Sequence, residues 1–320
     1  MRSHTLLVLA ALALLSLVPA PASAAVTVEK ASIPIEGGYL DATISRPGPG
    51  THPAVVVAAG LGGLYSGNPA KYAERFVEAG MTVVGFDYRH FGASTGTPRR
   101  LIDLRKQRRD WRAAIAFTKR LAGVDSSRIA LWGTSMSGGH VLFLGTEYPE
   151  LEAVVSQVPH MDGRGAAARQ DPRTFAGIAS LTALDLASAA VGGPPVQVPL
   201  IGRPGTAALM TAPGAWEYAQ QAYVGTGWIN AVPARASLSV LGYSPVLQAR
   251  ASKVPTQIMV ATGDKVAPPE PARRLARTLG ADVLEVDTDH FGVYSGPIFE
   301  TMVARQTAFL RARLGLDAAG

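Results

Sequence analysis

The chain has 320 residues, of which 48% are hydrophobic and 17% charged, and this composition excludes a disordered protein. It contains no cysteine, which excludes a cysteine nucleophile and any thiolate metal site. The formal net charge is +6, but the basic residues form no patch interleaved with aromatic side chains, so we do not expect a nucleic-acid partner.

The first 24 residues have the layout of a secretory signal peptide. A basic start precedes an apolar run over residues 6–18, and the small-residue triplet Ala22-Ser23-Ala24 closes the segment. A membrane anchor is the alternative, but the run is shorter than the roughly 20 residues that a bilayer span needs. We expect cleavage after Ala24 and a secreted, mature protein that begins at Ala25 and has no stable membrane insertion.

The mature chain opens with a predicted β-hairpin around Gly37-Gly38 and then alternates apolar strands with amphipathic helices. The predicted strands read AVVVAAG, MTVVGFDYR, RIALWG, LEAVVSQVP, VPTQIMVATGD and ADVLEVD. The predicted helices read NPAKYAERFVEAG, LRKQRRDWRAAIAFTKRLAG, SGGHVLFLGTEYPE, PPEPARRLARTLG and PIFETMVARQTAFLRARLG. This order predicts an α/β fold with a mostly parallel, doubly wound sheet, in which ligands bind beyond the carboxyl ends of the strands.

The alternation stops between residues 160 and 250. This segment is rich in proline and contains aromatic side chains such as Trp216, Tyr223 and Trp228. A structureless loop of that length is implausible in a compact domain. We therefore interpret residues 160–250 as a mostly helical lid, inserted into a core formed by residues 25–159 and 251–320.

The sharpest motif is LWGTSMSGG, where an apolar strand turns at once into a helix. Gly133-Thr134-Ser135-Met136-Ser137 matches the nucleophile-elbow pattern G-x-S-x-G except at its last position. Such a turn holds the serine above the sheet edge and directs the next backbone N–H, here that of Met136, at a developing oxyanion. The motif predicts Ser135 as a nucleophile.

Two alternatives to Ser135 stay open. The same five residues also occur as an ordinary Gly/Ser turn that caps a helix. A second register would place Ser137 at the apex, but the apolar run ends at Trp132, which favours Ser135. We expect Ser137 in the first helical turn, where its hydroxyl can cap backbone N–H groups.

An acid and a histidine follow in the order that a serine triad on this kind of sheet requires. Asp264 comes directly after the strand QIMVAT, and His290 lies in the loop before the closing helix. A turn or helix-capping role is the alternative for Asp264, and a surface position is the alternative for His290. Asp287 and Asp289 are further candidates for the acid, but they lie too close to His290 in the chain.

A glycine-rich loop, AAGLGGLYSG, follows the first buried strand. A loop at this position can supply a second oxyanion N–H group, which we assign to Leu61. A dinucleotide or phosphate loop is disfavoured, because the third spaced glycine and the Lys-Ser/Thr pair of those motifs are missing.

Together, AAGLGGLYSG, FDYRHFGASTG, DWRAAIAFTKRL, LWGTSMSGGH and DHFGVYSG resemble bacterial α/β-hydrolases of the dienelactone hydrolase and serine-aminopeptidase-like group. The resemblance covers nearly all of the mature chain outside the lid. It implies the α/β-hydrolase fold, catalytic Ser135, Asp264 and His290, and oxyanion donors at Leu61 and Met136.

We therefore expect a serine hydrolase that cleaves carboxylic esters through an acyl-enzyme, without a cofactor or a metal. Its partner is a small ester or acyl substrate, and the aromatic residues of the lid favour a partly apolar one. A peptidase, a thioesterase and an inactive binding protein of the same fold are the alternatives.

Overall fold

The computed structural model describes residues 25–223 and 225–317. An eight-stranded sheet forms its centre. The strands are β1 (Thr27–Ile35), β2 (Gly38–Arg46), β3 (His52–Ala58), β4 (Thr82–Phe86), β5 (Val124–Thr134), β6 (Ala153–Gln157), β9 (Thr256–Ala261) and β10 (Asp282–Val286). Their order in the sheet is β1-β2-β4-β3-β5-β6-β9-β10. The pairs β1–β2 and β2–β4 are antiparallel, and all the other pairs are parallel.

The central strands are buried on both faces, because helices cover the two sides of the sheet. Every residue of β4, β6 and β9 is buried. Strands that are buried along their whole length are typical of parallel sheets that are covered on both faces. Along β5, Leu131 points to one core cluster, while Trp132 points to the other.

Five helices outside the long insertion cover the sheet: α1 (Asn68–Glu78), α2 (Leu104–Lys119), α3 (Met136–Leu144), α9 (Pro269–Leu279) and α10 (Gly296–Arg313). Helices α1 and α10 contribute Tyr72 and Met302 to one core cluster. Helices α2, α3 and α9 contribute Trp111, Leu142 and Leu275 to the other. This arrangement confirms the predicted α/β fold with a mostly parallel, doubly wound sheet.

Residues 158–255, which we call the inserted segment, connect β6 to β9. Their regular structure comprises α4 (Gly163–Ala167), α5 (Pro172–Ala190), β7 (Gln197–Val198), α6 (Ala215–Ala222), β8 (Val232–Pro233), α7 (Ala236–Leu241) and α8 (Pro245–Gln248). Helix α5 is the longest of them. It begins where the Asp171 carboxylate accepts hydrogen bonds from the N–H groups of Arg173 and Thr174, and where Pro172 occupies the first turn.

Two boundaries differ from the sequence prediction. Strand β5 begins at Val124, before the apolar run at Ile129, because it already pairs with His52 of β3 there. Helix α3 ends at Leu144 and not near residue 150, and its last turn is closed by the N–H of Gly145 bonding to Val141. The predicted signal peptide, residues 1–24, lies outside the described residues. Within the described ranges, no helix has the length and apolarity needed to cross a bilayer.

Candidate active site

The turn between β5 and α3 holds Ser135 at the carboxyl edge of the sheet. Its backbone has φ 56° and ψ −117°, a left-handed conformation that costs free energy in a non-glycine residue. The surroundings fix it there, since the Ser135 N–H donates to the Gln157 carbonyl at 2.8 Å and the Ser135 carbonyl accepts from the His160 N–H at 2.9 Å. Gly133 is required beside it, because a Cβ at that position would collide with the Ser137 carbonyl. The strained turn therefore exposes one hydroxyl at a defined position.

His290 lies between Ser135 and Asp264. Its Nδ1 atom is 2.6 Å from Oδ2 of Asp264, and its Nε2 atom is 3.1 Å from Oγ of Ser135. Because an ionised carboxylate can only accept, the Nδ1–H group donates to Asp264, and Nε2 is left to accept the Ser135 hydroxyl proton. The other carboxylate oxygen, Oδ1, accepts the N–H groups of Val266 and Ala267 at 2.8 and 2.7 Å. Hydrogen bonds therefore hold both carboxylate oxygens of Asp264.

The structure brings together the three side chains that the sequence singled out, from the ends of β5, β9 and β10. The two other candidate acids point elsewhere. Asp287 accepts a hydrogen bond from Thr262, and Asp289 accepts the N–H groups of Phe291 and Gly292. Both are engaged in shaping the loops around His290.

The glycine-rich loop after β3 approaches Ser135 closely. A Cβ at Gly60 would lie 3.0 Å from the Cβ of Ser135, so glycine allows this approach. A hydrogen bond from the Gly63 N–H to the Gly60 carbonyl closes the turn and leaves the Leu61 N–H outside it. Met136 is the first residue of α3, where a backbone N–H has no acceptor within the helix. Leu61 and Met136 both line the cavity at Ser135, where the two oxyanion donors are predicted.

Ser137 is fully buried, and its hydrogen bonds differ from those that we expected. It lies in the first turn of α3, but the expectation that it caps helical N–H groups is wrong. Its hydroxyl donates instead to the Ala59 carbonyl and bonds to the hydroxyl of Tyr88, which in turn accepts from Trp111 Nε1 at 2.6 Å. The Ala59 carbonyl accepts this bond because β3 ends at Ala58, so Ala59 lies beyond the strand pairing. The serine at the variant position of the motif therefore joins the turn of Ser135 to the loop of Leu61.

His160, which no sequence motif singled out, lies beside the three central residues. It is 6% exposed and stacks on Tyr243 with an angle of 13° between the rings. Burial first, and then the nearby His290, lower the pKa of His160 to about 4, so its ring is neutral at neutral pH. Its position directly after β6 was the available signal, because the carboxyl ends of parallel strands meet at one edge of the sheet.

Two cavities meet at Ser135. The smaller has a volume of about 50 Å³ and is lined by His290, Tyr218 and Tyr223 among others. The larger has a volume of about 700 Å³ and lies largely within the inserted segment. Among the residues that the structure describes, no three histidine or acidic side chains lie close enough together to hold a metal ion.

The chain is similar to several known proteins. The family model described as serine aminopeptidase, S33, matches residues 50–290. The quorum-quenching protein AidA of Acinetobacter baumannii is 37% identical over 81% of this chain and 86% of its own length. The thiohydrolase aneE of Aspergillus aculeatus is 26% identical over 81% of this chain and 85% of its own length. The crystal structure of the α/β hydrolase GrgF from Penicillium superposes with a TM-score of 0.74 at 22% identity, covering 91% of this chain and 99% of that one. The chain therefore belongs to the serine aminopeptidase (S33) family of α/β hydrolases.

Proposed function

We propose that this α/β hydrolase cleaves carboxylic esters through an acyl-enzyme on Ser135. The observation that carries the proposal is the continuous hydrogen-bonded series from Asp264 through His290 to Ser135, with distances of 2.6 and 3.1 Å. In a serine hydrolase these three groups act as orienting acid, general base and nucleophile.

The proposed reaction has two halves. Nε2 of His290 takes the hydroxyl proton as Oγ of Ser135 attacks the ester carbonyl, and Asp264 stabilises the imidazolium that forms. The N–H groups of Leu61 and Met136 stabilise the oxyanion, and each such donor lowers the barrier by roughly 3 kcal/mol. His290 then gives its proton to the leaving alcohol. A water, deprotonated by His290 in its turn, attacks the acyl-enzyme and releases the acid.

The lining of the two cavities favours an ester over a peptide with a free N-terminus. An aminopeptidase needs an anionic group that binds the substrate's ammonium. Among the described residues that line the cavities, Asp171 is the one carboxylate, and it already caps α5. The exposed cations Arg169 and Lys265 line the larger cavity, and like charges would repel an ammonium there.

A thioester is the second candidate, because the relative from Aspergillus is named a thiohydrolase. The same groups would perform the same steps, with a thiol leaving in place of an alcohol. We also propose that residues 1–24 direct the protein out of the cell. N-terminal sequencing of the protein from culture medium should begin at Ala25, and an intact Arg2 on a membrane-bound product would refute this.

The test is a panel of matched substrates under pre-steady-state conditions. We expect vinyl butyrate, an activated ester with a small leaving group, to give a burst of about one acetaldehyde per protein molecule, because its acylation should be faster than deacylation. The corresponding thioester should be compared in parallel, and aminoacyl anilides should react far more slowly. The Ser135→Ala variant should lose the activity, whereas Ser180→Ala, on the exposed side of α5, should keep it. Ester turnover in Ser135→Ala at the wild-type rate would overturn the proposal.

A further inference from the structure

The larger cavity has a wall made by one face of α5. Its lining residues recur at helical spacing: Phe175, Ile178, Ala179, Thr182, Ala183 and Leu186. From the first to the last of these, the helix rises about 16 Å. The cavity volume of about 700 Å³ lies in the range of roughly 300–1,000 Å³ that is usual for small-molecule sites. The site is therefore long as well as large.

Large apolar side chains that line the cavity have no protein packed against much of their surface. Phe175, Leu186 and Leu238 are 47%, 45% and 50% exposed, and all three line the cavity. An exposed apolar patch that adjoins a reactive serine is typical of a surface that a ligand covers.

The hydroxyl groups on this side of the cavity are already hydrogen-bonded within the protein and offer a substrate few donors or acceptors. Thr182 donates to the Ala234 carbonyl at 3.0 Å, and Ser237 bonds to Thr182 at 2.8 Å. Because these groups already satisfy one another, the middle of the cavity presents mainly hydrocarbon to its contents.

The position of His290 decides which part of the substrate enters which cavity. The leaving group must lie next to the general acid, because His290 donates a proton to it. His290 lines the smaller cavity and is not among the residues that line the larger one. The leaving group thus faces the smaller cavity, whose volume of about 50 Å³ has room for only a few water-sized groups. The acyl group faces the larger one.

We propose that the substrate class is an ester of a long, apolar acyl group with a small alcohol. The acyl chain lies along α5, whose lining face matches the length of about twelve carbons, and the oxyanion N–H groups hold its carbonyl above Ser135. This inference rests on the proposed function, because it assigns the two sides of the same acyl-enzyme reaction.

A pair of reversed esters tests the assignment directly. Ethyl octanoate and octyl acetate are isomers with nearly equal apolarity, but only the first carries its chain on the acyl side. We expect kcat/KM for ethyl octanoate to exceed that for octyl acetate by at least tenfold. Within the ethyl ester series, kcat/KM should rise by up to about fourfold for each added CH₂ group that is fully buried. Equal rates, or faster cleavage of octyl acetate, would overturn the inference.

Two neighbouring residues of α5 provide a matched pair of variants. Ala179 is exposed and lines the cavity, whereas Ser180 is exposed and lies outside the lining. Ala179→Phe should lower kcat/KM for ethyl octanoate at least tenfold, and by a larger factor than it lowers kcat/KM for ethyl acetate. Ser180→Phe should leave both unchanged. An unaltered chain-length profile in folded Ala179→Phe counts against the inference.

The outcomes separate this inference from the proposed function. If no ester is cleaved, the ester hydrolase assignment itself fails. If both reversed esters are cleaved equally in a reaction that requires Ser135, only the acyl assignment fails. The comparison on the wild-type protein decides this even if Ala179→Phe does not fold.

Discussion

The carboxyl edge of the sheet and the inserted segment differ in how their residues are held. At the sheet edge, Ser135 and Asp264 are fixed by backbone hydrogen bonds from neighbouring loops, and strands β6 and β9 are buried throughout. In the inserted segment, α5 leaves Phe175 and Leu186 about half exposed against an open cavity. Groups that must hold their geometry to a few tenths of an ångström lie on the rigid part. In the proposed function, groups that only need to exclude water from a substrate lie on the loosely packed part.

The largest effect should come from removing the proposed base, His290. His290→Ala should lower kcat for a short ester by about 10⁴-fold or more, because Ser135 then has no acceptor for its proton. The fold should persist, which a circular dichroism spectrum and a melting curve would check. Loss of less than tenfold would mean that another group deprotonates the nucleophile.

A smaller but still large effect should follow from Asp264→Asn. The asparagine keeps one oxygen for the N–H groups of Val266 and Ala267 and places its NH₂ group against Nδ1 of His290. The ring must then carry its proton on Nε2, which is the wrong tautomer for accepting from Ser135, and kcat should fall by roughly 10³ to 10⁴. Asp287→Asn is the matched control, since Asp287 bonds to Thr262, and it should be nearly neutral. The reverse ranking of these two variants would contradict the assignment.

A moderate effect on kcat is expected from removing the Ser137 hydroxyl, which joins the turn of Ser135 to the loop of Leu61. Ser137→Ala removes the hydroxyl that binds the Ala59 carbonyl, so the Leu61 loop loses a tie to the elbow. We expect kcat to fall about tenfold with KM little changed, because an oxyanion donor acts mainly in the transition state. Thr118→Val removes another buried hydroxyl, which donates to Ala114 far from the site. Thr118→Val should lower the free energy of unfolding by about 1–3 kcal/mol, as Ser137→Ala should, but without changing kcat. Equal kcat values for the two variants would show that Ser137 is merely structural.

The smallest effect concerns stability in acid. Burial lowers the pKa of His140 to about 3, and its Nδ1 atom bonds to the hydroxyl of Tyr243 of the inserted segment at 2.9 Å. The unfolded chain, with a histidine pKa near 6.5, binds one more proton than the folded chain between these two values. This group therefore lowers the free energy of unfolding as the pH falls through that window, by about 2 kcal/mol at pH 5 relative to pH 7.

Urea unfolding of His140→Gln at pH 7 and pH 5 checks this. The variant should lose about 2 kcal/mol less than the wild type between the two values. Burial raises the pKa values of Asp87 and Asp110 to about 6, so these two groups raise the free energy of unfolding as the pH falls. Their contribution is the same in the wild type and the variant, and it cancels in the comparison. An equal loss in the two proteins would mean that His140 is protonated in the folded state.

The difference between the two regions also explains what could be predicted from the sequence. Strand and helix periods, glycine positions and chain order are local signals, and they sufficed to predict the parallel sheet and to direct attention to Ser135, Asp264 and His290. The partners of Ser137 depend on contacts between distant segments, which no local pattern encodes. The position of His160 after β6 is a local signal, but it becomes informative only when the neighbours of that strand are known. Within the inserted segment, proline and aromatic content indicated structure, but the stripe along α5 becomes informative only when the cavity is known.

The most direct test of the central claim is to locate the reactive serine. A fluorophosphonate should label the protein once, and fragmentation of the digested product should place the adduct on Ser135. Ser135 is presented to His290 by a strained turn, whereas the hydroxyl of Ser137 is buried and bonded to Ala59. An adduct on Ser137, or undiminished labelling of Ser135→Ala, would contradict the account of both the nucleophile and the oxyanion donors.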